Sequence, residues 1–170
     1  MKEYWDIYDR NRNKTGRVVE RGQPMFEGEF HLAVHVWIRN RRGEWLISKR
    51  SPDKEFFPGI WEACGGAALA GEDSLAAALR EAKEELGLTL NPGTGRQFCN
   101  TIRYHRHPPA GSCMADVWLF DHDCSLEDVV LCPGETCDAR WETAETIQTL
   151  MASGEFFNDT YFSDLVAFTG

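Results

Sequence analysis

Residues 66–88 read GAALAGEDSLAAALREAKEELGL, and this stretch decides how the rest of the chain is read. Within it, SLAAALREAKEEL (74–86) consists almost wholly of good helix formers. Asp73 stands where an N-cap belongs, and Gly87 where a left-handed C-cap belongs. The pattern predicts a helix over 74–86. At about 100° per residue, Leu75, Leu79, Ala82 and Leu86 gather on one side as the expected core stripe. Glu81, Glu84 and Glu85 gather on an adjacent side, and Arg80 lies one turn from Glu84, within pairing reach. Three carboxylates on one face repel one another, and near a helix C-terminus the dipole has the wrong sign for them. Read alone, the cluster is either a solvated acidic face or the seat of a hard divalent cation.

Outward from the helix, the chain reads as strands and turns. Tyr4 to Asp9 is a short strand, Asn11 to Gly16 a turn, and Thr15 to Glu20 its hairpin partner. His31 to Arg39 alternates: Leu32, Val34, Val36 and Ile38 face one way, while His31, Ala33, His35 and Trp37 face the other. The second face is mixed, as in a strand lining a cleft. Arg41 to Gly43 is a turn, Trp45 to Lys49 a returning strand, and Ser51 to Ile60 a loop. Further strands are expected over Gln97–Tyr104 and Cys113–Asp121, and helices over Ala144–Ala152 and Tyr161–Phe168. Strands and helices interleave irregularly, which predicts an α+β fold with a mixed sheet flanked by helices.

The 170 residues suit a single domain, 1–170, with the hairpin of about residues 1–22 as a decoration. Eighteen basic and 27 acidic side chains give a net charge of −9. That disfavours a protein that grips a nucleic-acid polymer or an anionic membrane, and suits a site that collects divalent cations. No apolar run approaches a membrane span, and the first residues lack the apolar core of a signal peptide, so the chain reads as cytoplasmic. The six cysteines are then expected to stay reduced, and none has a convincing zinc-ligand spacing.

Gly66, Glu72 after five intervening residues, and Arg80-Glu81-Ala82-Lys83-Glu84-Glu85-Leu86-Gly87-Leu88 after seven more resemble the Nudix box, G-x5-E-x7-R-E-U-x-E-E-x-G-U. All seven fixed residues are present; Ala82 is a small residue where the box carries a bulky aliphatic. A chance match is on the order of one in 10⁸ per start point at average residue frequencies. Phe57-Pro58-Gly59-Ile60-Trp61 is similar to the turn that often precedes the box. The opening WDIYD, the HLAVHVWI strand and the SKRSP segment resemble the isopentenyl-diphosphate-isomerase-like branch.

The resemblance implies an α/β/α sandwich with a loop–helix–loop site that hydrolyses a diphosphate linkage in a nucleoside diphosphate derivative or related small molecule. It implies Mg²⁺, or Mn²⁺, as cofactor, and often a homodimer. It casts Glu84 and Glu85 as metal ligands and Glu81 as ligand or general base. Arg80 would orient the glutamates, Gly65 would give a backbone carbonyl to the metal, and Glu72 would support the box. Glu81, Glu84 and a loop acid remain alternatives for the base.

His31, which aligns with a metal-binding histidine of the isomerases, and His35 are read as substrate-cleft lining. Lys49 and Arg50 end a strand near the cleft, where either could hold a phosphate. Glu135 is similar to a loop acid of many members that binds metal or acts as base; Asp138 competes with it. Two other readings stay open, an isopentenyl-diphosphate isomerase and a non-catalytic ligand-sensing module. The isomerases carry a Cys-Gly-His run, whereas this chain has Cys64-Gly65-Gly66, so Cys64 is read as a buried structural thiol.

Overall fold

The computed structural model describes residues 2–103 and 112–169. Among these residues nine strands, β1 (Tyr4–Tyr8), β2 (Lys14–Glu20), β3 (Phe30–Arg39), β4 (Trp45–Arg50), β5 (Trp61–Glu62), β6 (Cys64–Ala67), β7 (Gly95–Arg103), β8 (Cys113–Asp121) and β9 (Thr136–Glu142), form one mixed sheet. Helix α1 (Ser74–Leu86) covers one face; α2 (Ala144–Ser153) and α3 (Phe162–Phe168) cover the other. This is the α+β sandwich expected. No helix among the described residues is long and apolar enough to cross a membrane. The strand expected over 97–104 begins two residues earlier, and Tyr104 lies outside the described residues.

β3 is the hub. It runs parallel to β8 from His31↔Cys113 to Arg39↔Asp121. Along its other edge it pairs in turn with β1, β6 and β4, all antiparallel. β3 and β4 pair only beside their turn, at Ile38↔Leu46 and Arg39↔Trp45. Beyond it they part like a fork, and residues 61–67 fill the gap, pairing first with β4 and then with β3. β9 closes the far edge of β4.

The two faces of β3 feed two cores. Leu32, Val34, Val36 and Ile38 pack with Leu46 and Cys64 beneath α1. Trp37 packs beneath α2 and α3, its ring centroid 4.6 Å from Phe162, 5.7 Å from Trp45 and 5.9 Å from Phe156. Such a strand, buried on both faces, is apolar almost throughout.

Helix α1 begins and ends as its caps dictate. Asp73 accepts from the Ala76 N–H at 2.8 Å, and Gly87 takes φ +70° so that its N–H reaches the Lys83 carbonyl. All four residues of the expected core stripe belong to the core under α1, Ala82 and Leu86 buried and Leu75 and Leu79 packed against it, but the buried face is wider than that stripe. Leu75 and Leu79 are only half-buried, whereas Ala77, Ala78, Ala82, Glu85 and Leu86 are buried. The buried face is turned by roughly 60° toward the acidic side. Alanines at the contact bring the helix axis close to the sheet, and Glu85 is carried inward with them.

The hairpin is built into the sheet: Ile7 pairs with His31, Trp5 and Ile7 are buried, and Arg12 reaches the buried Asp116 of β8 at 2.6 Å.

Candidate active site

The Arg80 guanidinium organises the acidic face of α1. Its Nε and Nη2 donate to the two Glu72 oxygens, each at 2.9 Å, and Nη2 also donates to the Ala67 carbonyl at 2.9 Å. Its Nη1 bridges Glu81 at 2.9 Å and Glu84 at 2.8 Å. Burial disfavours the Arg80 charge, but the three carboxylates around it outweigh that effect. Glu72 also accepts from the Leu69 N–H at 2.9 Å, closing the loop ahead of the helix.

Glu85 points inward from the same helix. One of its carboxylate oxygens accepts from the Gly65 N–H at 3.3 Å. Burial, with Glu62 and Glu81 nearby, pushes its carboxyl up to about 8. Burial likewise raises Glu81, against the pull of Arg80. A Cβ on Gly66 would sit 2.6 Å from Glu81 Cδ and 2.8 Å from Oε2, and one on Gly65 would overlap the Val34 carbonyl. Gly65 is therefore demanded by close approach of backbone, and Gly66 makes room for the Glu81 carboxylate.

On the other side of Gly65 and Gly66 lies a cavity of about 560 Å³. The fork positions it: Ala33 and His35 of β3 face it opposite their register partners Ala67 and Gly65. Its wall is cationic and aromatic as well as acidic, with Arg21, Arg50, Lys54, Arg103, Trp5, Phe56, Phe157, Glu62 and Asp159. Arg50 is tied down: Nη1 donates to both Glu62 oxygens, at 3.0 and 3.2 Å, and Nε and Nη2 donate to the Phe56 carbonyl. Glu62 is pushed up to about 7 by burial, against the pull of Arg50. His35 is pushed down to about 3 by burial and by the Arg103 charge, so it is a neutral imidazole.

The residues singled out from the sequence thus fall into three groups. Gly65, Glu81, Glu84, Glu85 and Arg80 gather at one junction of α1 and β6. His31, His35 and Arg50 line the cavity beside it, with His31 stacked on Trp5 at 4.1 Å. Glu135 does not line the cavity; it pairs with Lys54, which does. Cys64 is buried among the core residues beneath α1, and burial raises its thiol well above the ordinary range, as expected of a structural cysteine. The sequence pattern does not point to Glu62, Arg103 and Asp159, which the fold brings to the cavity from three separate segments, nor to Tyr161, which meets His35 behind it. The charge of Glu62 two residues before Cys64 was the one local signal.

The Nudix domain family model matches residues 29–164. The chain belongs to the Nudix family. An uncharacterised Nudix hydrolase of Listeria innocua is 39% identical over 164 residues, covering 96% of this chain and 93% of that protein. An isopentenyl-diphosphate Δ-isomerase of Citrobacter koseri is 27% identical over 154 residues, covering 89% of this chain and 83% of that enzyme. The crystal structure of DR0079 from Deinococcus radiodurans shares the fold, with a TM-score of 0.73 over 97% of this chain and 98% of that one at 24% identity. As a Nudix enzyme the chain is a hydrolase of pyrophosphate linkages, in a family that generally uses divalent cations.

The junction suits such a cation. Its side chains offer carboxylates, the hard oxygens that Mg²⁺ and Mn²⁺ accept. Among the described residues no three carboxylate, thiol or imidazole groups converge as a ready ligand set, and Arg80 holds positive charge between Glu81 and Glu84. Glu85, buried and raised to about 8, is the carboxyl that a cation beside Gly65 would return to its charged form.

Proposed function

We propose that this Nudix enzyme is a Mg²⁺-dependent diphosphatase that cleaves a nucleoside diphosphate derivative or a related small molecule by water attack at phosphorus. One observation carries the reading. The paired glycines belong to both halves of the site: Glu85 and Glu81 approach them from α1, and they line the cavity together with arginines and histidines.

Glu84, Glu85 and the Gly65 carbonyl would hold the cation, which when bound neutralises phosphate oxygens and lowers the pKa of a bound water. Arg80 holds Glu81 and Glu84 in place. Glu81, whose carboxyl burial raises above the ordinary carboxylate range, is the proton acceptor for the attacking water. His31, His35 and Lys54 line the cavity that receives the substrate, and Arg50 braces its rim through Glu62 and the Phe56 carbonyl. An isomerase would need a reactive thiol at the cavity; Cys64 sits in the core, and Cys113, which does line the cavity, is like Cys64 in having its thiol raised by burial.

Product release from a panel of nucleoside triphosphates, nucleotide sugars, dinucleotides and isopentenyl diphosphate, with Mg²⁺ or with a chelator, tests this. Cleavage of a diphosphate bond that the chelator abolishes is expected. Rearrangement of isopentenyl diphosphate without hydrolysis of any substrate would overturn it.

Gly66→Ala supplies a second test. Its Cβ would displace the Glu81 carboxylate from its place beside β6. Turnover is expected to fall about a hundredfold, since a shift of about 1 Å in a reacting group has that effect. The thermal midpoint should stay within a few degrees, because the displaced group is the end of a side chain. Full turnover in this variant would remove the close approach from the mechanism.

A further inference from the structure

We propose that Arg103 is a substrate-binding residue whose guanidinium holds an anionic oxygen group, phosphoryl or carboxylate, on the side of the cavity away from the paired glycines. Among the described residues four cations line the cavity, in a chain of net charge −9. Three of them are committed elsewhere. Arg50 spends Nη1 on Glu62 and its other two nitrogens on the Phe56 carbonyl. Lys54 pairs with Glu135. Arg21 pairs with Glu3 at 2.7 Å, and its side chain is 59% exposed, so water screens its charge. Arg103 differs: Nη2 donates to Asp159, while Nε and Nη1 have no acceptor among the described residues.

Arg103 is also held still. Its partner Asp159 is buried, and the Tyr161 hydroxyl is hydrogen-bonded to the same carboxylate. Trp37 Nε1 donates to that hydroxyl at 3.2 Å, and Trp37 is fully buried under α3. The Phe162 N–H donates to the Asp159 carbonyl at 2.9 Å, which fixes the backbone. The guanidinium lies over Phe157, 5.6 Å from the ring centroid, and Phe57 packs edge-on against the same ring at 4.8 Å. Asp159 on one edge and the ring beneath leave the other edge open, with a third of the side chain exposed. Such a guanidinium offers a planar fork that phosphate and carboxylate oxygens accept at two points.

Its place in the sheet sets which side of the cavity it serves. Arg103 ends β7 opposite Cys113, which stands opposite His31. Strands β7, β8, β3 and β6 follow one another, so its Cα lies three strand spacings, about 14 Å, from the strand of Gly65 and Gly66. Both it and the glycines line the cavity, from opposite sides.

This inference deepens the diphosphatase reading and rests on it for the identity of the substrate; the anion site itself does not depend on turnover. The test is isothermal calorimetry with inorganic pyrophosphate in a chelator, on the wild type and on Arg103→Gln/Asp159→Asn. The double change removes cation and anion together, so it keeps the net charge and orphans no buried carboxylate. Pyrophosphate is expected to bind the wild type, and to bind the double variant at least about tenfold more weakly, as loss of a hydrogen bond to a charged group implies. Arg103→Lys keeps a cation beside Asp159 but not the fork, should lose part of that affinity, and decides if the double variant fails to fold. A wild type that does not bind pyrophosphate, or an affinity unchanged in the folded variant, overturns the proposal.

Turnover separates two sources of the anion, tested on a dinucleotide with and without a ribose phosphate. A KM raised about tenfold for both, with kcat little changed, puts the cleaved diphosphate on Arg103. A KM raised only for the phosphorylated one puts the second phosphate there. A chain that cleaves nothing on the panel, yet loses pyrophosphate in the variant, keeps the anion site and refutes the diphosphatase reading. A chain that cleaves diphosphates with affinity and KM unmoved in the variant keeps that reading and loses the site.

Discussion

Glu85→Gln is expected to lose at least about a thousandfold in turnover while gaining stability at neutral pH. The loss follows from the proposed ligand set: an amide cannot supply the charge that offsets a divalent cation, and a cation's contribution is worth several kcal/mol, each 1.4 kcal/mol being about tenfold. The gain follows from linkage. The Glu85 carboxyl sits at about 8 in the folded chain against an ordinary 4.5. Between those values the folded state keeps a proton that the unfolded chain has released, so stability falls as pH rises through that window. At neutral pH the accumulated penalty is on the order of 3 kcal/mol, and glutamine removes it. Glu62, raised to about 7, contributes in the same direction and remains in the variant.

Thermal unfolding from pH 5 to 8 in a chelator should therefore show the wild-type midpoint falling more steeply than that of the variant. Added Mg²⁺ should raise the wild-type midpoint and leave Glu85→Gln nearly unmoved, since a ligand stabilises only the state that binds it. Wild-type turnover in the variant would remove α1 from the mechanism.

Arg80→Ala is expected to harm both fold and activity. It would strip the partner from Glu72 and Glu81, both largely buried, and leave the Ala67 carbonyl without its donor. Breaking one side of a buried ionic network costs roughly 3–5 kcal/mol. For a chain of this size that is a fall of roughly 6–20 °C in the thermal midpoint. Because the orphaned groups are carboxylates, mild acid should recover part of the loss. A variant that melts with the wild type would show that solvent, rather than Arg80, balances these charges.

How much of this was legible in the sequence depends on distance along the chain. Helix α1 was readable to its caps, because Asp73 and Gly87 act within a few residues of the turns they close. The box glutamates were readable as a cluster, since i, i+3 and i+4 spacing is a property of any helix. Which of them is buried was not, because the sheet chose the alanine side over Leu75 and Leu79. β6 and β9 lack strong alternating patterns, and only their pairing with β3 and β4 makes them strands. Arg50 was readable as a cation near the cleft, but its ties to Glu62 and Phe56 depend on how the loop folds back. Tyr161 was beyond reach: it meets His35 across 126 positions of chain.

The hub position of β3 also sets when the site can exist during folding. Its parallel partner β8 lies some 80 residues downstream, as His31 opposite Cys113 shows. Parallel pairing at such separation closes a long loop before it gains any contact, and topologies of this kind fold slowly. On a ribosome, β1, β4, β6 and α1 all emerge while one edge of β3 still waits for its neighbour. The nascent chain then carries an assembled box helix over an unfinished sheet, with the apolar backing of β3 uncovered. A chain stalled or truncated before residue 113 would expose that surface, and its first hazard would be aggregation rather than lost catalysis.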